Sequence, residues 1–229
     1  MSMKKFAKEY PTTVLLVGLT TLVFLLMQLT YGSQAESSQV IFQFGGIQGD
    51  YLKAYPTNLW RLISPIFVHI GWEHFLLNGL ALYFVGQMGE SIWGSLRFLI
   101  LYILSGLMGN IFTLFFTPHV VAAGASTSLF GVFSAIAIAG YFGKNPYLKQ
   151  VGKSYQVMIL LNLFFNIFTP GVSLAGHVGG LVGGLVGGVL VAIFLTKQNG
   201  SLLFKTWQSI LALMIFIIVS ISLIGLSLV

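Results

Sequence analysis

Gly124-Ala125-Ser126-Thr127-Ser128-Leu129-Phe130-Gly131 opens an uncharged segment that runs from Val120 to Gly143. That segment is longer than the roughly 20 residues an α-helix needs to cross a bilayer. A small polar cluster flanked by glycine has an ordinary reading at the head of a membrane helix, as an N-cap or a small-residue packing face. Ser126 stands out through residues elsewhere in the chain: a histidine at matching depth in a later span, and a His/Asn pair in an earlier one.

The composition sets the class. Of 229 residues, 56% are hydrophobic and 7% charged, and the mean hydropathy is +0.92. A water-soluble domain of this length cannot hide that much apolar surface, so the chain reads as an all-α polytopic membrane protein whose solvent is the lipid bilayer. The absence of cysteine excludes disulfides, thiolate metal sites and a cysteine nucleophile. The net charge of +6 suggests nucleic acid only until its distribution is read, and no nucleic-acid partner is expected.

Taken in order, the apolar runs predict seven spans. The first covers Thr12 to Tyr31; it exceeds the 7–15-residue core of a signal peptide and leads into further spans, so it reads as a retained helix. Gly32 to Gly71 is an aromatic, weakly charged stretch suited to the membrane interface. Further spans are predicted from His74 to Trp93, Phe98 to Thr117, Val120 to Gly143, Tyr155 to Thr169 (stopped by Pro170-Gly171), Ala175 to Leu195 and Thr206 to Val229. With the N-terminus inside, Lys4, Lys5, Lys8, Arg97, Lys144, Lys149, Lys153, Lys197 and Lys205 are cytoplasmic, and only Lys53 and Arg61 are outside. Nine basic residues against two is the positive-inside pattern.

That orientation runs spans two, four and six from outside to inside. It places His74 and Asn78, Ser126, and His177 in one layer near the outer face. Ionisable groups at such a depth are costly unless they face a cavity or packed protein, which makes them functional candidates; the bland alternative is interhelical hydrogen bonding worth about 0.6 kcal/mol per contact. Gly176, Gly180, Gly184 and Gly188 recur every fourth residue after His177, with Gly179, Gly183 and Gly187 beside them. A bare face of this kind admits a neighbouring backbone, and if the neighbour is span four, His177 reaches Ser126 as base to nucleophile. His74 and Asn78 share a helix face and can donate to an oxyanion, with the backbone N–H of Ser126. Of the five acids, only Glu73 lies at suitable depth, and it points to another face, so a Ser–His dyad is the economical reading. His69, Glu73 and His74 resemble a metal motif, but on a helix five residues set the imidazoles about 140° apart, so no metal is expected.

These residues together resemble the rhomboid intramembrane serine proteases. Trp60-Arg61, Pro65, Phe67, His69, His74 and Asn78 are similar to that family's W-R…P-x-F-x-H-x4-H-x3-N pattern. Glu90, Gly94 and Arg97 fit its E-x3-G-x2-R, Gly124-Ala125-Ser126 its G-x-S, and Gly176-His177 with Gly179-Gly180 its G-H-x-G-G. The resemblance implies a six-helix bundle with an added seventh C-terminal helix. It divides the chain into a short cytoplasmic segment over 1–9, a catalytic core over 10–195 with an interfacial outer loop over 32–71, and a turn and last helix over 196–229. It implies Ser126 as nucleophile, His177 as general base, and His74 and Asn78 as oxyanion donors, with Trp60, Arg61, His69, Glu90, Arg97, Gly180 and Gly184 structural. No cofactor is implied. The partners are transmembrane protein substrates cut near the outer face of the cell membrane. Two departures stand out: Thr127 where many members have glycine, which could reshape the oxyanion loop, and Phe130 where many have tyrosine, which can stack on the base but not hydrogen-bond. The alternatives are a non-catalytic rhomboid-like binding factor, which usually lacks the Ser or the His, and a small transporter, which would call for broken helices and midplane charges.

Overall fold

A computed structural model describes residues 2–169, 171–192 and 205–229. Among these the regular structure is helical, with one isolated bridge between Ile47 and Ala122. In chain order the helices are α1 (Met3–Glu9), α2 (Pro11–Tyr31), the short α3 (Ser38–Gln43) and α4 (Gly49–Ala54), α5 (Gly71–Trp93), α6 (Ser95–Phe116), α7 (Ser126–Phe142), α8 (Pro146–Asn166), α9 (Leu174–Ala192) and α10 (Thr206–Leu228). By length and composition α2, α6 and α10 could each cross a membrane, and α7 and α9 are apolar but shorter. The expected stop at Pro170, the end of span six at Leu195 and the turn at Lys197 lie outside the described residues.

Two boundaries differ from the hydropathy reading. The fourth span was expected from Val120, but α7 begins at Ser126. Ile47 and Ala122 exchange two backbone hydrogen bonds of 2.9 and 2.8 Å, and Gly124 N–H donates to the Pro65 carbonyl at 2.9 Å. Those partners hold the chain before Ser126 out of the helix. The fifth span was expected from Tyr155, but α8 starts at Pro146, capped by the Asn145 side chain, which accepts from Tyr147 N–H at 2.9 Å. Lys149 and Lys153, assigned by charge to a loop, therefore sit in its first turns, where long stems let the ammonium groups reach the interface.

The residues 32–70 fold around Arg61, which is 7% exposed. Its Nη1 donates to the Phe42 carbonyl at 2.6 Å and the Gly46 carbonyl at 3.0 Å. Its guanidinium lies 3.9 Å from the Phe42 ring centre and 4.5 Å from that of Trp60. One cation thus satisfies two backbone acceptors and stacks between aromatics, work that a lysine's point charge does poorly. Asn110 of α6 ties this layer to the bundle by donating to the Leu62 carbonyl at 2.9 Å.

At the far end of α5, buried Glu90 accepts from Thr12 N–H (3.2 Å), Thr13 N–H (2.6 Å) and the Thr13 hydroxyl (2.7 Å). These are the amides of the first turn of α2, whose unmet N–H groups and dipole favour a carboxylate. Gly94, at φ 76°, then turns the chain into α6, and Arg97 donates to the Trp93 carbonyl at 3.4 Å.

The two glycine rows of α9 face different helices. A Cβ on Gly180 would strike the Thr127 carbonyl, and one on Gly184 the Gly131 backbone, both on α7. On the second row, a Cβ on Gly179 would lie 2.6 Å from Phe112 and one on Gly183 2.8 Å from Met108, both on α6. Helix α9 is therefore wedged between α6 and α7, and the Ser134 hydroxyl pins the seam by donating to the Leu181 carbonyl at 2.9 Å. Gly184→Leu should push α9 off α7, costing about 1–3 kcal/mol or more. A lower melting temperature in detergent is the expected result; an unchanged one would mean that the row does not meet α7.

Candidate active site

The approach to Ser126 is held by the preceding loop. Gly124 has φ 137°, a conformation glycine adopts without strain, and a Cβ there would lie 2.7 Å from the His74 ring and 3.5 Å from Ser126 Oγ. Next, Ala125 N–H donates to His69 Nε2 at 3.4 Å. Pro65 and His69 thus clamp two successive residues, so that α7 starts at Ser126. Its first-turn amides have no partner within the helix.

His177 lies in the first turns of α9, 6% exposed. Ser173 starts this helix: its carbonyl accepts from His177 N–H at 3.1 Å and its hydroxyl from Gly176 N–H at 3.0 Å. The glycine seam then carries His177 across to α7, where its Nε2 is 2.8 Å from Ser126 Oγ. Phe130, one turn beyond Ser126, stacks on the imidazole with centroids 4.2 Å apart and planes 15° apart. A hydroxyl and an imidazole nitrogen at that separation are within reach for proton transfer.

His74 and Asn78 sit on one face of α5. His74 Nδ1 accepts from Ile70 N–H at 3.3 Å, which leaves the neutral ring's hydrogen on Nε2, the nitrogen beside Gly124. Buried Asn78 donates from Nδ2 to the His74 carbonyl at 2.8 Å, so one of its two amide hydrogens is held by its own helix. Among the sequence candidates, then, Ser126, His177 and His74 converge directly. Asn78 adjoins them, while Trp60, Arg61, Glu90 and Arg97 lie in the loop layer and at the opposite helix junction.

Three details differ from the sequence reading. Thr127 does not line the approach to Ser126. Its side chain is buried against Gly109 of α6 and Gly176 of α9, where an added Cβ would lie 2.6 Å from Thr127 Cβ and 3.2 Å from its Cγ2. The rotation drawn between His69 and His74 does not apply either, because Gly71, at φ 75°, starts the helix after His69; the rings are 5.1 Å apart, and each gives one nitrogen to a backbone amide. Finally, a search confined to acids overlooked Asn166, the last residue of α8, whose carboxamide meets His177 Nδ1. The signal available was a polar residue closing an apolar helix eleven residues before the histidine.

Burial depresses the His69 imidazole to about 3, with His74 pushing the same way, so His69 is neutral when folded. An unfolded chain would protonate it near 6.5. The folded state therefore loses stability as pH falls from about 6.5 towards 3, by at most about 1.4 kcal/mol per pH unit from this residue. His69→Gln keeps an acceptor for Ala125 N–H without the titration. It should be less stable than the parent at pH 7, and the gap should narrow at pH 4.5 in detergent melts; a constant gap would contradict the assignment.

The region that carries these residues is matched by comparison with known proteins. The Rhomboid domain model matches residues 56–194. The chain is similar to "Rhomboid protease GluP" of Bacillus subtilis (strain 168), 33% identical over 175 residues, which is 76% of this chain and 34% of that protein. It is also similar to "Putative rhomboid protease YdcA" of the same organism, 30% identical over 166 residues, 71% of this chain and 77% of that one. A third relative is "Inactive RHOMBOID-like protein 8" of Arabidopsis thaliana, 28% identical over 146 residues, 62% of this chain and 41% of that protein. The chain thus spans about a third of GluP and three quarters of YdcA. The matched region takes in the loop clamp, the glycine-seamed bundle and the Ser–His contact, and the chain belongs to the rhomboid family of multi-pass membrane proteins.

Proposed function

We propose that this protein is an intramembrane serine endopeptidase that cleaves transmembrane helices of other proteins. The observation that carries the proposal is the 2.8 Å contact between Ser126 Oγ and His177 Nε2 at the start of α7. Ser126 Oγ attacks the scissile carbonyl carbon while His177 Nε2 takes its proton. The oxygen that gains charge is met by His74 Nε2–H and the N-terminal amides of α7, with Asn78 behind them. The intermediate collapses with breakage of the C–N bond, and His177 returns the proton to the departing amine. Water then attacks the acyl-enzyme, losing a proton to His177, and Ser126 is regenerated.

The basic-residue asymmetry supports a cytoplasmic N-terminus and a site opening towards the outer face of the cell membrane. The core is assigned to residues 10–195. An inactive relative keeps a non-catalytic binding role in view, but a hydroxyl and an imidazole held at bonding distance favour the enzyme.

Ser126→Ala and His177→Ala should each abolish cleavage of a model transmembrane substrate in proteoliposomes, and the double variant should be no worse, because the pair acts as a unit. A fluorophosphonate should label the parent but not Ser126→Ala; labelling that persists in Ser126→Ala would falsify the nucleophile assignment. Asn78 separates charge stabilisation from packing. Asn78→Ala should lower kcat by about 10–10³ with KM little changed. Asn78→Asp should be slower still, since a carboxylate repels the developing negative charge. If Asn78→Asp matched the parent, Asn78 would be a packing residue only.

A further inference from the structure

We propose that Asn166 is a positioning residue for His177, its side-chain oxygen accepting from His177 Nδ1–H and so leaving Nε2 bare towards Ser126. The inference rests on the serine endopeptidase reading and adds to the dyad a third, uncharged member.

A neutral imidazole carries one hydrogen. With Nε2 2.8 Å from Ser126 Oγ, the ring is a base only when that hydrogen is on Nδ1. His177 is 6% exposed, and a buried N–H requires an acceptor. The group that meets Nδ1 is the carboxamide of Asn166, placed with Nδ2 towards the ring; a half-turn of the amide exchanges its nitrogen and oxygen with no change of shape, so the chemistry of the ring decides which end faces it. A carboxamide has two faces of opposite character. Its nitrogen would donate to an Nδ1 lone pair, forcing the hydrogen onto Nε2 and turning the ring into a donor towards Ser126, which cannot then give up its proton to it. Its oxygen selects the opposite, reactive tautomer.

Catalysis discriminates between the two. Once His177 has taken the serine proton, both ring nitrogens carry hydrogen. An oxygen at Nδ1 keeps its bond through that step, whereas an NH₂ group would face an N–H. The imidazolium also gains from the C-terminal end of α8, where Asn166 is the last helical residue and the dipole is negative. Among the described residues the other titratable group facing His177 is His74 on α5, which carries no negative charge to balance the cation. A carboxylate would serve the same purpose at a larger desolvation cost in a membrane. Asparagine supplies the acceptor without the charge.

The polar side chains nearest in the chain bond within their own turns, Asn162 to the Met158 carbonyl at 2.8 Å and Thr169 to the Phe165 carbonyl at 2.9 Å. Phe164, Phe165, Ile167 and Phe168 are exposed apolar groups around Asn166. The helix is anchored on α7 at its opposite end, where a Cβ on Gly152 would lie 2.8 Å from Gly140 Cα.

The test uses the full chain in lipid bilayers. Solid-state ¹⁵N NMR of histidine-labelled protein, with the His177 signals assigned by loss in His177→Gln, should show a protonated Nδ1 and a bare Nε2. In Asn166→Leu that preference should vanish, kcat should fall about 10²-fold with KM within about twofold, and fluorophosphonate labelling should slow in parallel. Asn166→Asp, which can only accept, should restore at least a tenth of the parent rate. Asn166→Asp as slow as Asn166→Leu would assign the contact to the NH₂ end and overturn the proposal, as would a bare Nδ1 in the parent protein or a parental rate in Asn166→Leu. Should Asn166→Leu not fold, the parent spectrum alone decides. A parent that neither cleaves nor labels would overturn the endopeptidase reading, while its spectrum would still test the pairing.

Discussion

Backbone-to-backbone approach of α9 to α7 is the constraint on which the rest depends. Gly180 and Gly184 sit where any Cβ would strike the carbonyl of Thr127 or Gly131. Inside a bilayer, burying apolar side chains drives helix association only weakly, because lipid tails are as apolar as leucine. Association rests instead on close van der Waals packing and interhelical hydrogen bonds. Small residues on both sides make the first possible, and Ser134 on the Leu181 carbonyl supplies the second. Given that seam, the His177 imidazole falls beside Ser126 without any loop having to carry it. Phe130, on the next turn of α7, closes one face of the ring. The 2.8 Å contact is thus set by two rigid helices, which hold geometry better than a loop does.

The second constraint comes from residues 32–70, a run of short helices with breaks between them, and from the non-helical residues 117–125. Non-helical chain near a membrane must have its amides and carbonyls met by protein. Here Arg61 takes the carbonyls of Phe42 and Gly46, the Ile47–Ala122 bridge pairs the two segments, and Pro65 and His69 take the amides of Gly124 and Ala125. Residues that the sequence pattern marks as a group are therefore spread through successive shells. Trp60 and Arg61 hold the loop, Pro65 and His69 transfer its position to Gly124 and Ala125, and Ser126 emerges at the end. Glu90 does the equivalent at the opposite junction, fixing the start of α2 to the end of α5.

How much of this could be read from the chain depends on the kind of interaction. The glycine spacing was legible because a bare helix face is a local, periodic signal, and His74, Asn78, Ser126 and His177 were legible because polar residues are rare in apolar spans. That the second glycine row serves α6 was not, since one helix sequence does not say how many neighbours it has. The start of α7 was hidden for a related reason. Residues 120–125 are as apolar as a helix, and only long-range partners at Ile47, Pro65 and His69 pull them straight. Lys149 and Lys153 misled because charge was equated with loop, although a helix whose end reaches the interface accommodates both. Asn166 escaped because the third member of a Ser–His system was sought among carboxylates, while in lipid a neutral acceptor avoids most of the desolvation cost.

The shortness of α7 follows from the same contacts and bears on the chemistry. Its 17 residues span about 25 Å at 1.5 Å per residue, against a hydrocarbon core of about 30 Å. A lipid-facing helix of that length would leave a mismatch, but α7 is buried along most of its length, from Thr127 to Gly140, so its neighbours rather than the lipid set its ends. By that arithmetic α7 is about 5 Å shorter than the hydrocarbon core, and Ser126 is its first residue. The non-helical residues 120–125 lead into it. They bring a hydroxyl and the unmet amides of a helix N-terminus beside the imidazoles that α5 and α9 present. A helix beginning at Val120 would have raised its N-terminus by about six residues, or 9 Å, and would have buried Ser126 in mid-helix. There its backbone N–H would be spent on the carbonyl four residues back, leaving nothing to meet a developing negative charge. The interruption of the helix and the placement of the Ser126 hydroxyl are in this sense one structural event, fixed by Pro65, His69 and the conformational freedom of Gly124.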